Sequence, residues 1–340
     1  MRLAVIIPAH NGGADLHLCL QALSRSTRPP DELIVADDGS NDNSAEVAAA
    51  CGARVLPLGA PPRGPAKARN AAVDASSGEV LVFVDADVAV HAETLERIES
   101  CLAAHPEVAA VFGSYDAAPP APGLVSRYKN LLHHYIHQHG RREASTFWSG
   151  CGAIRREAFR HAGGFPEHYG EPSIEDIELG MRLRSLGYRI WLCPEIQATH
   201  LKRWTLGSLL RSDIRCRALP WGRLIARGGP LPNDLNLDTS NRVSATLAWA
   251  ALLCLAASLW IPWAWLGAIA AWGAVCLINR NLYRLMARRG GLPLLATAMA
   301  LHWAYFLYSS AAFAYCLLES FHLERAKGDD PAGESAQRPA

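Results

Sequence analysis

Two stretches near the C-terminus constrain this chain more than any other feature. No Asp, Glu, Lys, Arg or His occurs from Val243 to Asn279, and His302 is the sole such residue from Leu292 to Leu318. Uncharged runs of this length are candidates for burial in a bilayer. The first would span ~54 Å as one helix at ~1.5 Å per residue, against a hydrocarbon thickness of ~30 Å. A break is therefore expected, and Trp260-Ile-Pro-Trp263 offers one, with Pro262 at the turn and tryptophans at interface depth. The reading is an all-α transmembrane region over 241–320, with two or three spans near 243–260, 263–279 and 292–318, and a disordered tail over 321–340. Arg280, Arg284, Arg288 and Arg289 make the connection before the last span basic, which places that connection on the cytoplasmic side.

The residues before this region have globular composition and read as alternating strands and helices. Leu3–Ile7, Glu32–Ala36, Arg54–Leu58 and Val80–Val84 are short runs rich in Val and Ile, as buried parallel strands are. Ala14–Ser24, Ser44–Cys51 and Ala66–Ala75 between them have helical spacing. That alternation predicts an α/β fold with a doubly wound sheet, whose ligands bind beyond the carboxyl ends of the strands. A net charge of +1 gives no electrostatic case for nucleic acid. The nine cysteines contain no CxxC pair, which argues against a zinc site or a disulfide framework and for a reducing compartment. The apolar run at the N-terminus is cut short by Pro8 and the polar residues after it, so a signal peptide is not expected and the catalytic part is placed in the cytoplasm.

Three of the four strands end in groups suited to a nucleotide: Pro8-Ala-His-Asn11, Asp37-Asp38-Gly39-Ser40 and Asp85-Ala86-Asp87. A carboxylate just past a buried strand can accept hydrogen bonds from a base or ribose. Two carboxylates one residue apart can share a Mg²⁺ or Mn²⁺ ion on a diphosphate, which neutralises the charge of the departing nucleotide. A solvated turn, with Asp87 near the start of a helix over Ala92–Ala104, is the plainer alternative. In Ser173-Ile-Glu-Asp-Ile-Glu, Ser173 reads as an N-cap and Asp176 falls in the first helical turn, where the helix dipole favours an ionised carboxylate able to take a proton from an attacking hydroxyl. A simple capping box is the alternative there. Val125–Gly140 has helical spacing and carries His133 and His137 on one face, without the acidic partner of a zinc motif; it reads as an acceptor-side helix or lid.

Taken in order, these motifs resemble the metal-dependent family-2 glycosyltransferases with the GT-A fold. The set is Pro8-Ala-His-Asn11, Val35-Ala-Asp-Asp-Gly-Ser40, Ala66-Lys-Ala-Arg-Asn-Ala71, Phe83-Val-Asp-Ala-Asp87, Ser149-Gly-Cys-Gly-Ala153, Gly163-Gly-Phe165, Ile174-Glu-Asp-Ile-Glu-Leu179 and Gly187-Tyr188. The resemblance covers 1–205 and implies a Rossmann-like GT-A domain with a doubly wound mixed sheet. It implies that Pro8, Asn11, Asp37, Asp38, Lys67, Arg69 and Asp85 meet the nucleotide sugar, and that Asp85, Asp87 and His200 meet the metal. Asp176 would be the catalytic base with Glu175 beside it, and Trp148, Gly150 and Glu175 would face the acceptor. The Gln-x-x-Arg-Trp motif of processive relatives is incomplete: Arg203-Trp204 is present without the Gln.

Between the two halves, Trp204–Arg227 interleaves leucines and tryptophans with Arg211, Arg215, Arg217, Arg223 and Arg227, so 206–240 is expected to lie on the membrane surface and bring the site to a lipid-borne acceptor. The reading is an inverting, divalent-metal-dependent glycosyltransferase of the inner (plasma) membrane. It would work on a lipid-linked or glycan acceptor, such as a growing cell-envelope polysaccharide, in contact with membrane lipids. A catalytically silent scaffold with the same fold, and a nucleotidyltransferase, are the alternatives.

Overall fold

The computed structural model describes residues 1–229 and 231–328. Its N-terminal part is one eight-stranded sheet in the order β3-β2-β1-β4-β7-β6-β8-β5. Strands β1 (Leu3–Ala9), β2 (Glu32–Asp37), β3 (Arg54–Pro57) and β4 (Val80–Val84) pair in parallel. All of β4 and nearly all of β1 are buried, because helices cover both sheet faces. On one face lie α1 (Gly13–Ser24), α2 (Ser44–Ala50) and α4 (Thr94–Ala104), which pack Leu16, Leu20, Ala48, Leu95 and Ile98 onto the strands. On the other lie α3 (Pro65–Asp74), α6 (Arg156–His161) and α7 (Glu175–Ser185), contributing Ala68, Ala72, Phe159, Leu179 and Leu183.

The remaining strands make the sheet mixed. Strand β7 (Cys151–Arg155) runs antiparallel to both β4 and β6 (Val108–Tyr115), and β8 (Arg189–His200) runs parallel to β6. Asp87 does not lead into the helix. Residues Val88–Val90 form β5 instead, antiparallel to β8 with Val88 opposite His200, and α4 begins only at Thr94. The capping alternative for Asp87 is thereby replaced by a strand register. Strand β8 runs for 12 residues and ends on His200.

Helix α5 (Leu124–His139) joins this domain to the C-terminal helices. Its Tyr128, Leu131 and Leu132 share a buried cluster with Trp204, Leu209, Leu282, Met286, Leu294 and Ala298. The basic amphipathic stretch is α8 (Leu206–Asp213), a π-helical turn (Ile214–Ala218) and α9 (Leu219–Ala226). Then come α10 (Thr239–Ala257), α11 (Ala264–Ile278) and α12 (Arg280–Gly328). The basic connection is helical: Arg280 to Arg289 form the first part of α12, which loses helical geometry at Gly290 and Gly291. Past that break α12 supplies a segment long and apolar enough to cross a membrane, and it continues beyond 321, where the tail was expected; residues 329–340 lie outside the described part. Helices α10 and α11 form a hairpin with an apolar tip, Leu259, Trp260, Ile261 and Trp263, each more than half exposed. Exposed apolar surface of that kind marks a membrane or partner contact.

Candidate active site

The sheet brings the predicted carboxylates to one edge. Pairing of Val84 with Cys151 sets the turn after β4 beside the segment before β7, and the Asp85 N–H donates to the Gly150 carbonyl at 3.2 Å. The β5–β8 register sets Asp87 beside His200, with Asp87 Oδ2 at 3.7 Å from both His200 Nε2 and Lys202 Nζ. A cavity of about 200 Å³ opens there, walled by Arg69, Asp85, Asp87, Trp148, Asp176 and His200 among others.

Arg69, on α3, is almost fully buried and spans this cavity. Its Nη2 donates to Asp85 Oδ1 at 2.6 Å and its Nη1 to Glu175 Oε1 at 3.0 Å, while its guanidinium lies over the Phe165 ring. Glu175 is also buried and accepts the Ser173 N–H at 2.8 Å, so both its oxygens are engaged. Asp176 is placed differently. It lies half-buried on the cavity wall, accepting the Ser149 N–H at 3.1 Å, the Ser149 hydroxyl at 3.2 Å and the Ile177 N–H at 2.8 Å. The two adjacent acids thus divide: Glu175 holds Arg69, and Asp176 is left to face a ligand.

Burial adds an effect at Asp176 that the helix dipole does not contain. The dipole favours an ionised carboxylate, while burial and the neighbouring Glu175 charge push its pKa up from 3.8 to about 6, against the Ser149 hydrogen bond and the Arg69 and Arg217 charges. It therefore ionises just below neutrality, where a general base is most useful. Ser173 is not the N-cap. Ile174 holds that position without a side-chain bond, and the Ser173 hydroxyl donates to the Cys216 carbonyl at 3.1 Å. Asp87 is half-buried, and the neighbouring His200 and Lys202 hold it at about 2 against the cost of that burial.

A divalent metal fits this donor set. Among the described residues no three His, Cys, Asp or Glu side chains form a closed protein cage. A Mg²⁺-type ion does not need one, because it takes one or two carboxylates and fills its shell with phosphate oxygens and water. Asp87 Oδ2 and His200 Nε2 stand 3.7 Å apart, too far for a hydrogen bond and close enough to share an ion. His200 is also oriented for this. Trp204 Nε1, which can only donate, lies 3.1 Å from Asn130 Oδ1, so that atom is an acceptor and His200 Nδ1, at 2.7 Å, must donate to it. His200 therefore turns Nε2 to Asp87. Tyr115 stacks on the imidazole with ring centroids 4.2 Å apart.

The other sequence-named residues sit around this centre. Asn11, at φ +53°, donates its N–H to the Ser40 hydroxyl at 2.9 Å, which ties the ends of β1 and β2 together beside Pro8. Asp37 accepts the Ser40 N–H at 3.1 Å. Asp38 accepts the N–H groups of Arg63 and Gly64 at 2.7–3.0 Å, holding the 59–64 loop over the strand ends. Gly39 adopts φ +71°, and a Cβ there would come within 2.9 Å of the Gly59 carbonyl. Lys67 is on α3 but is not among the residues lining the cavity. Gly150 lies under Trp148, whose indole a Cβ at that position would meet at 2.5 Å, so the pair forms an aromatic floor. Burial keeps His133 and His137 neutral, His137 at about 3, with the Arg217 charge adding to the effect on both. Sequence reasoning missed Ser149 as a partner of Asp176 and Asn130 as the partner of His200; Asn130 lay unnoticed inside the helix read at Val125–Gly140.

Comparison with known proteins bears on the fold that carries this site. Residues 4–163 match the family model described as Glycosyl transferase family 2. The chain is similar to glycosyltransferase AglE of Haloferax volcanii, 28% identical over 62% of this chain and 70% of that one. It is also similar to the succinoglycan biosynthesis protein ExoA of Rhizobium meliloti, 27% identical over 88% and 92%. Among solved structures, the mannosyltransferase PcManGT from Pyrobaculum calidifontis, in complex with GDP-Man and Mn²⁺, superposes with a TM-score of 0.56 at 21% identity, covering 93% of this chain and 87% of that one. Residues 1–349 of S. aureus TarS, in complex with UDP-GlcNAc, give 0.51 at 21%, covering 93% and 91%. Residues 4–163 thus carry a glycosyltransferase family 2 domain, and the mixed sheet is that of the GT-A fold.

Proposed function

We propose that the protein transfers a sugar from a nucleoside diphosphate donor to a hydroxyl of a lipid-linked or membrane-associated glycan acceptor, with inversion at the anomeric carbon. The observation that supports this most is Asp176, half-buried, held by Ser149 and facing the same cavity as Asp85, Asp87 and His200. The nucleotide rests on the carboxyl ends of β1 and β2, where Pro8, Asn11 and Asp37 lie and where Asp38 shapes the 59–64 loop. Arg69 fixes Asp85 on the donor side. Asp87 and His200, with Asp85, hold a Mg²⁺ or Mn²⁺ ion, which supplies neutralisation of charge on the diphosphate. Lys202 adds a mobile positive charge at the same place.

Asp176 accepts the proton of the acceptor hydroxyl while that oxygen forms its bond to the anomeric carbon. The bond from that carbon to the diphosphate oxygen breaks on the opposite face, and the electron pair leaves with the nucleotide. Trp148 gives the acceptor sugar an aromatic face. The exposed apolar hairpin and the long α12 support a location at a membrane, which we read as the inner (plasma) membrane with the site on the cytoplasmic side.

The test is a screen of the full chain in detergent for Mn²⁺-dependent transfer and hydrolysis with UDP-, GDP- and dTDP-sugars. Asp176→Asn is expected to abolish transfer while nucleotide binding persists. Wild-type turnover in that variant would remove Asp176 as the base, and silence with every donor would leave the scaffold reading.

A further inference from the structure

A second cavity of about 200 Å³ adjoins the catalytic one, enclosed by α5, the π-helical turn, α9, α10 and α12. Its character is different. Ile225, Ala245, Phe306 and Phe313 give it hydrocarbon walls, and the carboxylates of the catalytic cavity do not reach it. The two cavities share a wall that includes Arg217 and Trp221.

Two features of that wall are open to a ligand. Trp221 is nine-tenths buried, and its Nε1–H has no hydrogen-bond partner. A buried donor left unpaired costs free energy unless something accepts from it. Arg217 is half-buried and, among the described residues, has no carboxylate within ion-pair distance; its one hydrogen bond goes from Nη1 to His133 Nε2 at 3.1 Å. Of the other cations lining the two cavities, Arg69 is taken by Asp85 and Glu175, Lys129 by Asp213 at 2.5 Å, whose second oxygen accepts the Tyr308 hydroxyl, Lys202 lies 3.7 Å from Asp87, and Arg242 donates to the Leu237 and Pro232 carbonyls. Arg217 sits on the π-helical turn, a one-residue widening that recurs at functional sites and is otherwise unfavourable.

We infer that the shared wall is an acceptor subsite. Arg217 and the Trp221 N–H bind a phosphate or diphosphate, and the apolar cavity takes the start of the hydrocarbon chain attached to it. A sugar joined to the other side of that phosphate reaches into the catalytic cavity and presents its hydroxyl to Asp176. The acceptor class is thus a glycan carried on a long-chain prenyl phosphate. Charge supports this occupant over an ordinary neutral lipid, and the shared wall supports it over a free glycan, which has no use for a hydrocarbon cavity. This inference rests on the transfer reaction proposed above, which supplies the role of Asp176.

The experiment uses the full chain in detergent and a geranylgeranyl phosphate probe bearing a diazirine, with crosslinked peptides mapped by mass spectrometry. Competition is measured against geranylgeranyl phosphate, geranylgeraniol, phosphatidylglycerol and inorganic phosphate. The expected result is crosslinking within α9, α10 and α12, displaced by geranylgeranyl phosphate at least tenfold better than by the other three. Arg217→Gln should weaken binding at least tenfold, with part restored in Arg217→Lys. Ala245→Trp, which fills the cavity, should abolish crosslinking there. Equal displacement by the alcohol or by phosphatidylglycerol, unchanged binding in both Arg217→Gln and Ala245→Trp, or labels confined to the outer faces of α10 and α11 would overturn the subsite. Nucleotide binding measured in parallel separates the two readings. Its absence in the wild type refutes the transfer reaction, whereas loss of prenyl phosphate selectivity with nucleotide binding intact refutes the subsite alone.

Discussion

Replacing Asp176 by Asn should make the protein more stable and inactive at once. The native pKa of about 6 lies above the ordinary 3.8, so the folded state holds this proton more tightly than the unfolded chain does. Well below pH 3.8 both states are protonated and the residue contributes no pH dependence. As pH rises from about 4 to about 6 the unfolded chain releases its proton first, and stability falls; above 6 the penalty is complete and constant. Roughly two pH units at ~1.4 kcal/mol each set that penalty at no more than about 3 kcal/mol. Asn removes the charge, but its amide can accept from Ser149 or Ile177 and not from both, which returns about 1 kcal/mol. The net gain is about 2 kcal/mol at pH 7.5, or about 4–8 °C in the midpoint for a domain of this size. Thermal unfolding of both proteins in detergent, followed by intrinsic fluorescence at pH 4 to 8, measures it. An Asn variant no more stable at pH 7.5, or a difference that stays constant across the range, would refute an ionised and poorly solvated Asp176.

The same carboxyl sets the acid limb of activity: kcat/KM should rise with unit slope through pH 6 in the wild type. In Glu175→Gln, which removes the adjacent charge and frees that of Arg69, the limb should move to lower pH, read from the same profile. Arg69→Met leaves Glu175 buried without its partner and should cost about 3–5 kcal/mol, measured by chemical denaturation at pH 7.5. Asn130→Leu removes the acceptor that orients His200 and should weaken Mn²⁺ binding by about 10–100-fold, measured by the loss of the free-ion EPR signal on titration; an unchanged affinity would show that His200 is held by the Tyr115 stack alone.

The parallel half of the sheet was legible because its strands are buried on both faces and so read as unbroken Val and Ile runs; β4 is the clearest case. Strand β5 was not, since three residues carry no period and only pairing with β8 makes them a strand. The acids were found from their places at the strand ends and at the start of α7. Their division of labour was invisible: Glu175 and Asp176 are neighbours in sequence, and only the reach of Arg69 from α3 tells them apart. The raised pKa of Asp176 was out of reach for the same reason, because a dipole can be read from a helix start while burial cannot. Arg217 was counted as one basic residue of an amphipathic stretch, and its lack of a carboxylate partner appears only when the partners of its neighbours are known.

Arg69 and Glu175 lie 106 positions apart, and their contact closes the chain around everything between them. The segment that includes α5 and the Trp148 floor, on the proposed acceptor side, hangs inside this loop as an insert. Three of its residues are tied to the site, Asn130 to His200, Ser149 to Asp176 and Gly150 to Asp85, while the Arg69 guanidinium joins Asp85 to the helix that carries Asp176 from outside the insert. A lineage built on this plan can vary the rest of the insert toward new acceptors, provided those three anchors stay.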